Sequence, residues 1–75
     1  MDYRQNYCRN IRYLRRVNHL TQRELAEKLG ISVGTLRRIE AEQFPPRSNS
    51  RTLNRVCDLF QISSDALLYS DLERQ

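Results

Sequence analysis

Two helix start signals lie close together in this chain and leave room for only a tight turn between two short helices. Thr21 and Glu24 have the spacing of a capping box, in which each side chain binds the backbone N–H of the other residue. Gly30 suits the left-handed conformation that ends a helix. Only Ile31 separates it from Ser32, a second favourable N-cap. The spacing predicts a helix after Thr21, a sharp turn, and another helix after Ser32.

Apolar residues recur at helical spacing on both sides of this turn. Leu25, Ala26 and Leu29 are expected to form the inner face of the first of these helices. In the second, Val33, Leu36 and Ile39 recur at helical spacing, and Leu36 and Ile39 are expected to point into the core. Two short amphipathic helices joined by so tight a turn form a helix-turn-helix, which we predict at about residues 21–41.

The chain ahead of this motif is predicted to form another helix. Asp2 is a favourable N-cap for it. The apolar residues that follow form a single stripe at Tyr3, Tyr7, Ile11 and Leu14. Asn18 and His19 indicate its end.

Two further helices are predicted after the motif. Pro45 and Pro46 interrupt helix continuation and predict a loop over residues 44–49. The fourth helix is expected to start at Asn49 or Ser50. Its inward positions are Leu53, Val56, Cys57 and Phe60. Ser63 is a favourable N-cap for a short fifth helix that contains Ala66, Leu67 and Leu68.

No segment alternates in the way a half-buried strand does, so the fold class is predicted to be all-α. The 75 residues leave room for a single hydrophobic core, and we expect one domain over residues 1–75. Residues 70–75 are expected to be a polar tail that frays.

Basic side chains are unevenly placed along the chain. Residues 1–55 carry twelve basic and five acidic residues, whereas residues 56–75 carry one basic and four acidic residues. Twelve of the thirteen basic residues are arginine, whose guanidinium pairs bidentately with phosphate and guanine. This balance favours a polyanion such as nucleic acid as the partner, although an ordinary solvated surface is the alternative.

Several other classes of protein do not fit the sequence. Cys8 and Cys57 form no CxxC pair, and His19 has no neighbour at metal-ligand spacing, so no metal site is expected. No nucleophile–base pair or glycine-rich phosphate loop is present, and we do not expect an enzyme. No apolar run reaches the ~18 residues of a membrane span. A cytoplasmic location is expected.

The segment TQRELAEKLGISVGTLRRIE, residues 21–40, resembles the lambda-repressor/Cro-like helix-turn-helix regulators, also called the xenobiotic-response-element type. The resemblance extends over about residues 10–68. It implies a compact five-helix bundle of the lambda-repressor-like DNA-binding type. It further implies a dimer that binds operator DNA with its third helix in the major groove.

The resemblance places base reading on the outer face of the third helix. The matching positions are Ser32, Val33, Gly34, Arg37 and Arg38. Val33 and Gly34 depart from the family, which often has hydrogen-bonding side chains there. Neither can read a base edge by hydrogen bonding, so discrimination is expected to depend mainly on Arg37, with Arg38 as a second arginine able to grip guanine.

Other matching positions imply contacts to DNA phosphates. They are Thr21, Gln22, Thr35, Arg47, Ser48, Asn49 and Arg51. Thr21 and Gln22 lie at a helix N-terminus, which attracts anions, and Gln22 is also placed to reach the third helix. Arg15 and Glu40 match a pair that the family uses as a salt bridge between its first and third helices.

The sequence therefore predicts a transcriptional regulator, most simply a repressor, that binds a palindromic double-stranded operator. A homodimer that is weak without DNA is expected, with Leu67, Leu68 and Tyr69 near its contact. No cofactor, membrane or small-molecule ligand is implied. The alternative is a protein-interaction or antitoxin-type module on the same fold with weak operator reading, which the apolar turn at Val33 and Gly34 favours.

Overall fold

The computed structural model describes residues 3–41 and 50–74, and these stretches are helical throughout apart from turns. The elements in chain order are α1 Tyr3–Val17, α2 Gln22–Leu29, α3 Val33–Glu40, α4 Ser50–Phe60, α5 Ser64–Tyr69 and a 3-10 helix Leu72–Arg74. The all-α prediction with five α-helices is confirmed for this part of the chain. The predicted N-cap Asp2 and the predicted loop over residues 44–49 lie outside the described residues.

The first helix buries the predicted stripe as far as the structure describes it, since the side chain of Tyr3 lies outside the described residues. Tyr7, Ile11 and Leu14 belong to the core. The helix ends because His19 adopts a positive φ of 56°, and Leu20 N–H then donates to the carbonyl of Arg15 at 3.0 Å. This reversal turns the chain toward α2.

The turn between α2 and α3 forms as the sequence predicts. Thr21 and Glu24 make both hydrogen bonds of the capping box. Gly30 takes the left-handed conformation at φ 69°, and Ile31 N–H closes the helix end on the carbonyl of Ala26 at 3.0 Å. Ser32 Oγ accepts from the N–H of Thr35 at 3.1 Å and starts α3. Each cap fixes the chain direction through short local bonds.

All five α-helices contribute apolar side chains to the core. The fully buried ones include Ile11, Leu25, Leu29, Leu36, Val56 and Leu67. Of the predicted inward residues of α4, Val56 is fully buried, while Leu53, Cys57 and Phe60 are half-buried against the core. The opposite faces of α2 and α3 remain at the surface.

The segment after α5 differs from the prediction that it frays. Leu72 packs against the core, and residues 72–74 form the 3-10 helix. The cause is Asn10, a buried residue of α1 that hydrogen bonds to Leu67, Ser70 and Leu72. Residues 70–74 are therefore attached to α1.

Candidate nucleic-acid interface

The outer face of α3 carries two neighbouring arginines. Leu36 and Ile39 point into the core, and successive helical residues are rotated by about 100°. Arg37 and Arg38 are consequently exposed, as is Ser32 at the N-terminal end. Arg38 makes no hydrogen bond or ion pair within the described residues. This face offers positive charge and hydrogen-bond donors to an approaching anion.

The first turn of α3 offers little polar chemistry of its own. Val33 is half-buried and packs against the core. Gly34 is exposed, and a Cβ there would meet only Ser32 Oγ, at 3.9 Å. The hydroxyls of Ser32 and Thr35 share a hydrogen bond of 2.8 Å. Val33 and Gly34, two of the five predicted base-reading positions, thus have no side chain that could hydrogen bond to a base.

The N-terminus of α2 lies beside α3 because Gln22 connects them. Gln22 Nε2 donates to Glu40 Oε1 at 3.3 Å, and Gln22 Oε1 accepts from Arg37 Nε at 3.4 Å. Thr21 caps the helix and stays exposed. The structure therefore brings together Thr21, Gln22 and Arg37, which the sequence predicts at the interface.

The capping box also has an electrostatic effect. The pKa of Glu24 lies below its usual value because its carboxylate accepts from the backbone N–H of Thr21, with a further contribution from the Thr21 hydroxyl. The charged form of Glu24 is thus favoured at the N-terminus of α2, where the helix dipole also favours a negative charge.

Arg15 and Glu40 form an ion pair between α1 and α3. Arg15 Nε lies 2.7 Å from Glu40 Oε2, and Arg15 Nη2 donates to Glu40 Oε1 at 3.0 Å. The Glu40 side chain is only 5% exposed and that of Arg15 16%. Arg15 Nη1 also donates to the carbonyl of Leu20 at 3.0 Å, and Arg12 Nη1 to the carbonyl of Glu40 at 3.4 Å. Helix α1 therefore holds the C-terminal end of α3.

An arginine of α4 holds the end of α2, where the turn to α3 begins. Arg55 Nη1, in α4, donates to the carbonyl of Leu29 at 2.7 Å. Its guanidinium occupies the space that a Cβ on Gly30 would need. This role of Arg55 was not predicted from the sequence, since an arginine on the polar face of a helix carries no signal for such a contact.

The remaining predicted phosphate contacts fall near the start of α4. Arg51 is exposed in its first turn. Arg47, Ser48 and Asn49 lie outside the described residues.

The thiols and the buried tyrosine do not suggest nucleophilic chemistry. Cys8 and Cys57 are free thiols, and Cys8 is buried. Burial, and then the nearby Asp58, raise the pKa of Cys57. Burial also raises the pKa of Tyr7, so this phenol stays neutral near pH 7. In residues 3–41 and 50–74 there is no cluster of His, Cys, Asp or Glu that could hold a metal ion.

The comparisons with known proteins gave one match. A helix-turn-helix family model matches residues 11–67, from the middle of α1 to the buried Leu67 of α5. Neither the curated proteins nor the solved structures gave a match. None of the helices in the described part of the chain combines the length and apolar character that a membrane crossing needs.

Proposed function

The chain belongs to the lambda-repressor/Cro-like helix-turn-helix family, a family of DNA-binding domains of transcription regulators and not of enzymes, and we propose that it is a repressor that binds a specific operator. Helix α3 enters the major groove with its exposed face toward the bases. The observation that carries this proposal is the pair Arg37 and Arg38, exposed together on that face beside the capped N-terminus of α2.

Base reading is assigned to the outer face of α3. The proposed base-reading positions are Ser32, Val33, Gly34, Arg37 and Arg38. An arginine that grips the O6 and N7 atoms of guanine contributes ~1–3 kcal/mol of discrimination. Val33 can touch a thymine methyl group with its exposed part, and Gly34 allows close approach of the backbone. Specificity then depends mainly on Arg37, with Arg38 at a phosphate or a neighbouring base.

Phosphate binding is assigned to the N-terminal ends of α2 and α4. Thr21 and Gln22 lie at the start of α2, where free backbone N–H groups and the helix dipole attract an anion. Arg51 lies in the first turn of α4 and is exposed. Thr35, Arg47, Ser48 and Asn49 complete the proposed set.

We further propose a homodimer on a palindromic operator. One domain covers a single half-site, and two copies bind half-sites ~34 Å apart, one helical turn of DNA. Leu67 is fully buried in the core and Leu68 packs partly against it, so we place the contact near the exposed Tyr69 of α5 and Leu59 of α4. The dimer is therefore weak until DNA brings two copies together.

The test is selection of bound sequences from a random duplex library at ~0.15 M salt. The expected result is a palindrome that contains guanine within each half-site. Arg37→Ala should erase the preference at one guanine, whereas Arg38→Ala should weaken all sequences more evenly. An unenriched library, or a site occupied by one copy alone even when two half-sites are present, would contradict the proposal.

The second candidate is a protein-interaction or antitoxin-type module on this fold. The half-buried Val33 and the side-chain-free Gly34 favour it, because they leave the first turn of α3 without a hydrogen-bonding reader. If Arg37→Ala keeps the full ratio of operator to scrambled-duplex affinity, this candidate is preferred.

A further inference from the structure

The side-chain amide of Gln22 is engaged at both ends inside the protein. Its Nε2 donates to Glu40 Oε1 at 3.3 Å, and its Oε1 accepts from Arg37 Nε at 3.4 Å. Gln22 is half-buried, whereas Arg37 is exposed. The amide thus connects a buried carboxylate to a surface guanidinium.

Glu40 determines which way this amide points. A carboxylate only accepts hydrogen bonds, so Gln22 must present its NH2 group to Glu40. Arg15 donates two hydrogen bonds to the same carboxylate, of 2.7 and 3.0 Å, which fix it in place. With the NH2 group directed at Glu40, the carbonyl oxygen faces Arg37. A flipped amide would put acceptor against acceptor and donor against donor.

We propose that Gln22 is a positioning residue for Arg37, so that the ion pair of Arg15 and Glu40 sets the geometry of base reading through the Gln22 amide. This inference depends on the proposed function, in which Arg37 meets a guanine. The bond to Gln22 uses only Nε of Arg37. The terminal Nη1 and Nη2 edge stays available for a bidentate contact.

Arg38 provides the comparison within the same helix. It is also exposed but has no hydrogen bond or ion pair within the described residues. A guanidinium that is already held loses less conformational freedom on binding and meets the base in one orientation. Arg37 is therefore the more selective of the two arginines. The second N–H of Gln22 Nε2 remains available for a phosphate, so the two roles of Gln22 are compatible.

The first test is a double-mutant cycle on the selected operator. We would measure the affinities of three variants, Gln22→Ala, Arg37→Ala and the double variant, at one salt concentration. Each is measured on this operator and on a duplex in which the guanine that Arg37 contacts is replaced. Gln22→Ala should lower the preference for guanine at least about threefold, with little further loss when Arg37 is already alanine. The matched cycle of Gln22 with Arg38 should be additive. Additive losses in both cycles would overturn the positioning role while leaving operator binding intact.

The second test needs no DNA. In the free protein, the Nε–H proton of Arg37 should exchange with solvent more slowly than that of Arg38, as measured by nuclear magnetic resonance. Gln22→Ala should remove the difference while the backbone signals of α3 keep their positions. Equal exchange of the two arginines in the unmodified protein would overturn the inference whether or not an operator is found. If selection yields no operator, the proposed function fails, and base reading through Arg37 fails with it.

Discussion

Asn10 Oδ1 accepts a hydrogen bond from the backbone N–H of Leu72 at 3.1 Å, so a side chain of α1 holds the 3-10 helix that follows α5. The Nδ2 group of Asn10 donates to the carbonyls of Leu67 at 2.8 Å and Ser70 at 2.7 Å. Asn10 is only 1% exposed, and all three of these bonds go to backbone groups. Asn10 thus supplies the hydrogen bonds that water would otherwise make to these backbone groups at the end of α5.

Asn10→Ala should therefore destabilise the fold strongly. It leaves two carbonyls and one N–H without their side-chain partner, and a buried polar group without a partner costs ~1–3 kcal/mol. We expect a loss of about 2 kcal/mol or more in the free energy of unfolding, measured by urea denaturation, with faster amide exchange in residues 70–74. Asn54→Ala, at an exposed position of α4, is the control. Equal denaturation midpoints for the two variants would contradict this role.

The starts of α2, α3 and α5 were predictable because caps are local. Thr21, Ser32 and Ser63 each accept from a backbone N–H three residues ahead, and this spacing is visible in the sequence. The same holds for Gly30, since a helix end of this kind requires a positive φ.

The long-range polar contacts were not predictable in the same way. Asn10 and Arg55 bind backbone groups far away in the chain, and neither residue type signals its partner. The attachment of residues 70–74 was missed for this reason. Arg15 and Glu40 were expected to pair only through the family resemblance. The link from Gln22 to Arg37 depends on the packing angle of α2 and α3, which helical periodicity does not specify.

Glu40→Ala should cost ~3 kcal/mol or more, because it leaves the largely buried Arg15 without its carboxylate. Such a loss is a large part of the total stability of a small domain. Thermal melting measures the effect. Glu27→Ala, an exposed position of α2, should have little effect.

A double replacement separates the charge from the packing. In Arg15→Met with Glu40→Leu no charge is left unpaired, so much of the lost stability should return. A melting temperature of Glu40→Ala within a degree or two of the parent would show that the pair contributes nothing.

The two glycines should respond in opposite ways to alanine. Gly30→Ala places a Cβ at φ 69° and in the space of the Arg55 guanidinium, so we expect destabilisation of more than about 1 kcal/mol. Gly34 lies inside α3 with open space around its Cβ position, so Gly34→Ala should stabilise by up to about 1 kcal/mol. Urea midpoints of both variants test this. Changes of the same sign would be inconsistent with the structure.

The capping box predicts a pH dependence at the start of α2. The pKa of Glu24 is lowered in the folded state, so its contribution to stability is fully present above the pKa it has in the unfolded chain. It is lost as the pH falls through the folded value. The side chain introduced by Glu24→Gln can still accept the bond from Thr21 but carries no charge. The parent should therefore melt at a higher temperature than this variant. This advantage should be constant near neutral pH and shrink on acidification. Melting of both proteins at pH 7 and pH 3 measures it, and an advantage that grows in acid would refute the assignment.

Affinity for duplex DNA should fall steeply with salt, because arginines that meet phosphates release condensed counterions. Arg51 is exposed in the first turn of α4, and we propose that it makes one such contact. Arg51→Ala should weaken binding to operator and scrambled duplexes alike and reduce the slope of log affinity against log salt by about one unit. Asp65→Asn changes the net charge by one in the opposite direction at the start of α5, which is not part of the proposed interface, and should leave the slope nearly unchanged. If Asp65→Asn steepens the slope by as much as Arg51→Ala flattens it, net charge alone drives binding, and Arg51 has no phosphate of its own.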